Sequence, residues 1–179
     1  MSLVLTNLDE KTRRFMIEEV EHDIANDQLY ISPRLNPQGR AVYLNLLKEA
    51  IESQSDGWLA EQLRFGGMMN PMEQRRKPKG DYTMVRVPVT APDTLAEGEY
   101  NRFYIRGLCR RAIEEGIASL EIYRAKAVMQ PRSDSQAKIG TKINVEILLN
   151  DLRVNIGIDT ALGLPPGPNS GLSVKLSWI

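Results

Sequence analysis

Residues 99–116, EYNRFYIRGLCRRAIEEG, restrict this chain more than any other stretch. At about 100° per residue, Tyr104, Ile105, Leu108, Ala112 and Asn101 share one sector of a helix, which predicts a buried face. On the same wheel Arg102, Arg106 and Arg110 fall at about 0°, 40° and 80°, a single guanidinium row, while Arg111 stands apart at about 180°. Such a helix needs an apolar partner on one side and a source of negative charge on the other. Glu99 lies three residues before Arg102 and Glu114 four after Arg110, spacings at which side chains meet on a helix. Arg106 has no acid at either spacing. Its planar fork of donors suits a carboxylate or a phosphate, and Glu19, Asp23 and Glu49 of the acidic N-terminal region are the candidates from within the chain. An outside anion is the alternative, with Arg102, Arg106 and Arg110 as anion-binding residues.

The charge distribution keeps both alternatives open. Lys+Arg and Asp+Glu are equal at 23 each. Residues 1–66 nevertheless hold seven basic against eleven acidic residues, and residues 67–179 hold 16 against 12. The halves can attract each other, or the second can turn a basic face to an acidic partner. A net charge of zero argues against strong non-specific nucleic-acid binding, which rests on summed positive charge.

Around the arginine helix the chain alternates helical and extended patterns. Residues 7–25 read as a helix with Asn7 as its cap. Asn36-Pro37 opens a second, in which Tyr43, Leu46, Leu47, Ala50 and Ile51 give the clearest helical period in the chain. Ser55 opens a third, stopped by Gly66-Gly67. Residues 82–89 and 120–128 read as strands, Asn144 caps a helix through Arg153, and 172–179 reads as a last strand. This pattern predicts an α/β or α+β fold: a helical N-terminal region packed on a small two- or three-layer sandwich with at least three strands. Strand–helix–strand crossovers favour parallel pairing. The expected organisation is a helical region over 1–66, a basic linker or arm over 67–81, and an α/β region over 82–179 that packs with 1–66 as one compact domain.

Residues 66–81, GGMMNPMEQRRKPKGD, show no sustained period. Arg75, Arg76, Lys77 and Lys79 crowd into five positions, either a solvated linker or a basic arm reaching for phosphate or an acidic neighbour. They join the arginine row as candidate anion-binding residues. The 163–171 stretch, GLPPGPNSG, lacks the Gly-Lys-Ser/Thr ending of a phosphate loop and precedes a strand. Asn169 and Ser170, with Arg132 from the polar 130–140 loop, form a candidate ligand loop.

Catalytic and metal chemistry find little to stand on. His22 is the only histidine; with Glu18 one turn earlier it supplies two ligands, too few for a metal site. Cys109 is the only cysteine, borders the apolar sector of its helix, and is read as a small core side chain. No G-x-S-x-G elbow is present. No cofactor or metal is expected, and catalytic residues are left unassigned. A chain with one cysteine, no secretory leader and no apolar run of membrane length reads as cytoplasmic. The leading expectation is a non-enzymatic binding or assembly module that forms homo-oligomers, with Met68–Met72 and the C-terminal Trp178-Ile179 as contact segments. The alternative is a protein associated with anions or nucleic acid, using the arginine helix and the basic arm, and extending to an enzyme on a phosphorylated substrate. An acidic protein is the other partner considered, and no membrane.

Overall fold

The structure is a computed structural model, described here for residues 2–156 and 170–177. Among them are six helices and five short strands: α1 (Glu10–Ala25), α2 (Pro37–Ser53), α3 (Asp56–Phe65), β1 (Met72–Arg76), β2 (Tyr82–Arg86), α4 (Ala91–Glu114), β3 (Ser119–Arg124), α5 (Ser133–Lys138), β4 (Lys142–Asn144), α6 (Val145–Val154) and β5 (Leu172–Lys175).

The caps set the helix starts. Asn36 accepts the Gly39 N–H at 2.8 Å with Pro37 in the first turn, Ser55 accepts from Trp58, and Asn144 accepts from Glu146 and Ile147. At α1 the cap is Asp9, which accepts the Thr12 N–H at 2.9 Å. Asn7 is used elsewhere: its Oδ1 accepts the Leu176 N–H at 2.9 Å, and its N–H donates to the Tyr104 hydroxyl at 3.1 Å. The cap of α1 therefore moves two residues along, from Asn7 to Asp9, because a tertiary contact claims the side chain that local pattern would give to the cap.

Helix α4 is the spine. It touches α1, α3, α6, β3 and β5, and one apolar cluster runs from Met16 and Leu47 through Tyr104 and Leu108 to Leu148 and Val174. Asn101 ties the spine to the sheet: its Nδ2 donates to the Leu172 carbonyl at 2.8 Å and its Oδ1 accepts from Ser173 Oγ at 2.7 Å. The helix is unbroken at Gly107, where it crosses α1. A Cβ there would lie 2.8 Å from the Met16 backbone nitrogen, so the absent side chain is what lets the two backbones come this close.

The sheets are antiparallel, and the fold is α+β. β4-β3-β5 form one sheet, with Leu120 opposite Ile143 and Ile122 opposite Val174; β1 and β2 form a separate hairpin. The expected parallel pairing fails for a topological reason. α4 links strands of two different sheets, so no crossover exists there. β4 and β5, joined across α6, do run in the same direction, but β3 lies between them.

The 67–81 segment also differs from the reading as a linker without regular structure. Met72–Arg76 is a strand, in register with Tyr82–Arg86. Four of its five residues are exposed, so it carries no alternation of apolar and polar side chains, and only its pairing with β2 defines it. The 130–140 loop contains the short helix α5. No helix among the described residues is long and apolar enough to cross a membrane.

Candidate functional site

The arginine row of α4 turns inward, onto α1. Arg106 is fully buried. Its Nε donates to Glu19 Oε2 at 2.9 Å, Nη1 to Asp23 Oδ2 at 2.8 Å, and Nη2 to Asp23 Oδ1 at 2.7 Å and to the Glu19 carbonyl at 3.2 Å. Glu19 and Asp23 are four residues apart on α1, so both carboxylates face the same strip of α4. Of the three acids read as internal partners, these two hold the guanidinium. Glu49 is exposed on α2.

Glu19 is the hub. Besides Arg106 it takes Arg110 Nη1 at 3.0 Å on Oε1, and both Arg153 Nε, at 2.9 Å on Oε2, and Arg153 Nη2, on Oε1. Burial alone would raise its pKa. Hydrogen bonds from Arg153 and Arg106, with their positive charge, outweigh that and hold the carboxyl at about 2. Arg110 also reaches Glu18 at 3.2 Å. Glu114, its expected helical partner, pairs with Lys11 at 2.7 Å. Arg111, the outlier on the wheel, bonds Asp9 at 2.6 Å and Glu115 at 3.0 Å.

Arg102 differs from its neighbours. Its Nη2 donates to Glu99 Oε2 at 2.6 Å, with Asp23 at 3.9 Å, but among the described residues its Nε and Nη1 find no hydrogen-bond partner. The guanidinium lies 5.2 Å from the centroid of the Phe103 ring, which supplies cation–π attraction in place of part of the missing bonding. Burial pushes the Glu99 carboxyl up, against the lowering pull of Arg102. The Tyr43 hydroxyl, on α2, is also buried without a partner among the described residues.

All three members of the arginine row thus bond carboxylates of the chain itself. What they build is a seam between α1, α4 and α6, and Arg153 on α6 is the member that helical spacing could not find. Cys109 is buried, and its thiol pKa is pushed up by that burial, the setting of an inert core thiol. Among the described residues no group of three or more His, Cys, Asp or Glu side chains could hold a metal ion; His22 lies 3.3 Å from Asp23.

Of the candidate loop residues, Ser170 and Arg132 are placed apart from this seam. The Ser170 carbonyl accepts from Arg124 Nη1 at 2.8 Å, and its hydroxyl accepts the Leu172 N–H at 3.3 Å, so Ser170 turns the chain into β5. Arg132 precedes α5, is exposed, and its carbonyl accepts from Ser135 Oγ. Asn169, Trp178 and Ile179 lie outside the described residues. Met68 and Met69 pack partly buried against the core, whereas Met72 is exposed.

The basic cluster sits on the β1–β2 hairpin, which projects as an arm. The hairpin touches chiefly itself. Arg34, on the α1–α2 connection, tethers its base: Nε and Nη2 donate to the two Glu73 oxygens at 2.6 and 3.0 Å. In the ladder Met72 faces Arg86, Gln74 faces Met84 and Arg76 faces Tyr82. Cross-strand partners share a face, so these six side chains line one side of the arm, and all six are exposed. Met72, Met84 and Tyr82 make a diagonal apolar strip, with Arg86 on one flank and Arg76 on the other. Lys77 and Lys79 stand at the tip. Among the described residues Arg76, Lys77, Lys79 and Arg86 have no ion-pair partner; Arg75, on the opposite face, lies 3.7 Å from Glu73.

Compared with protein-family models, with curated proteins and with solved structures, the chain matches none.

Proposed function

We propose that this chain is a binding and assembly module, working by contact rather than by chemistry, homo-oligomeric, and that the β1–β2 arm is the element that makes the contact. A single observation carries the reading: one face of the arm exposes Met72, Met84 and Tyr82 side by side. An isolated two-stranded hairpin is marginal in water, and a contiguous exposed apolar strip between cations is the surface pattern of an interaction site. The arginine helix contributes rigidity rather than recognition, since its guanidinium groups bond Glu18, Glu19, Asp23 and Glu99. A reducing, cytoplasmic setting suits a chain whose one thiol is buried.

Size-exclusion chromatography with light scattering tests this. A module of this kind elutes above the 20.2 kDa chain mass and shifts with concentration. A strict monomer at every micromolar concentration removes the reading.

The second reading, association with nucleic acid or another polyanion, is favoured by the unpaired Arg76, Lys77, Lys79 and Arg86. It now rests on the arm alone. Four phosphate contacts predict a log–log salt slope of roughly −3.6 on duplex DNA; absence of binding at low salt rejects it.

A further inference from the structure

An open groove of about 180 Å³ lies at the foot of the arm, where Pro71 and Val87, the neighbours of Met72 and Arg86, help to line it. Leu63, Met68, Met69, Val87, Val89 and Pro92 line the groove, with Arg64 at its rim. Arg64 is already bonded to Asp93. Two of the most exposed large apolar side chains of the described residues stand around this groove or near it: Val89 at 89% and Phe65 at 82%. Glu61, exposed and one turn before Phe65 on α3, puts an acid on the same side of that helix.

Resting on the assembly reading, we infer that the occupant of this groove is the arm of a second copy of the chain, and that the exchange is reciprocal. The diagonal strip of Met72, Met84 and Tyr82 from one copy lies on the groove and on Phe65 and Val89 of the other. A two-fold axis then repeats the contact, so that each copy gives an arm and receives one. Apolar area meets apolar area in both halves. Reciprocity also compensates for the small size of the groove, since the contact is made twice.

Charge selects this arrangement over its competitors. The arm, residues 72–86, holds five Lys/Arg against two Asp/Glu, a charge of +3. The chain as a whole is neutral, so the remainder carries −3. An arm is therefore attracted to the body of another copy and repelled by another arm. Stacking two arms face to face would bring Arg76 and Arg86 of each against their like. Docking on the foot of the second copy instead sets the strip on apolar side chains, with the exposed acid Glu61 on the same helix as Leu63 and Phe65. A polyanion would satisfy the cations but leave the apolar strip in water.

Two measurements on the full chain test the exchange. The first compares dimer dissociation of the native chain and of Met84→Glu by sedimentation at several concentrations. Met84 is exposed at 55%, so the monomer melting temperature serves as a folding control. Placing a carboxylate in an apolar groove should weaken the dimer at least about tenfold. The second mixes Met84→Cys and Val89→Cys chains under oxidising conditions, the native Cys109 being buried. The expected product is a disulfide between the two variants, in excess over either variant with itself. An oligomer unaffected by Met84→Glu, with no mixed disulfide, overturns the arm exchange and the arm as the contact element, and leaves homo-oligomeric assembly through another surface standing. A strict monomer overturns both. A chain that stays monomeric until duplex DNA is added overturns both as well, and gives the arm to a polyanion.

Discussion

Arg106 grips Asp23 with both arms of its guanidinium, Nη1 at 2.8 Å from Oδ2 and Nη2 at 2.7 Å from Oδ1, in an environment where neither side chain is exposed. Two ions buried this completely lose their hydration, and only near-complete hydrogen bonding offsets that loss. Here four of the five N–H donors are engaged: besides the two bonds to Asp23, Nε goes to Glu19 and a second Nη2 bond to a backbone carbonyl. Removing one partner strands the other. Arg106→Met is expected to cost about 3–5 kcal/mol in urea unfolding. The double change Arg106→Met with Asp23→Leu should cost less than the sum of the single changes, because it removes both charges. Additive costs would show that the pair is not coupled.

Stability should fall on acidification in a window set by Glu19. Its pKa in the fold is about 2, against an ordinary value of 4.5. A carboxyl with a depressed folded pKa stabilises fully above its unfolded pKa, and loses that contribution as pH drops towards the folded one. The Glu19 contribution to the urea midpoint is therefore expected to hold above about pH 5 and to decline between about 4.5 and 2. Glu99 works in the opposite direction: its pKa is raised by burial, so protonation relieves a cost. Glu19→Gln should flatten that decline, whereas Glu99→Gln should leave it in place and act above about pH 4.5, where Glu99 in the fold binds a proton that the unfolded chain does not. A wild-type midpoint independent of pH across that window would contradict the assignment.

The crossing of α1 and α4 has no room for a methyl group at Gly107, where a Cβ would meet both the backbone nitrogen and the Cγ of Met16 at 2.8 Å. Alanine improves helix propensity by about 1 kcal/mol over glycine. Overpacking typically costs about 1–3 kcal/mol, and a backbone atom cannot swing aside. Gly107→Ala is expected to lower the melting temperature, measured by calorimetry. Because the clash sits next to Arg106, the same variant should also weaken the Arg106–Glu19–Asp23 seam. A rise in melting temperature would mean that the helices separate easily.

Tyr43 offers the opposite kind of test. Its hydroxyl is buried with no hydrogen-bond partner among the described residues, and an unsatisfied buried polar group costs about 1–3 kcal/mol. Tyr43→Phe keeps the ring and removes the hydroxyl, so stability should stay level or rise by up to about 1 kcal/mol. A loss of 2 kcal/mol or more in chemical unfolding would show that the hydroxyl is engaged with a group such as the free nitrogens of Arg102.

Much of this architecture is written in local pattern. The caps at Asn36, Ser55 and Asn144, the apolar stripe of α2 and the apolar sector of α4 are decided by interactions within one or two helical turns, so residue identity and spacing suffice to place them. The α+β character and the acids awaiting Arg106 follow from the same local information joined to charge balance. Long-range contacts decided the rest. Asn7 leaves the cap of α1 because Leu176 claims it, and the five residues of β1 become a strand only because β2 lies alongside them. Arg153 joins the Glu19 hub from 134 positions away. The arginine row could be recognised as a row from its periodicity. Whether it faced a ligand or the chain's own carboxylates depended on which helix packed against it, and a helix period measures angles about its own axis, not the identity of its neighbour.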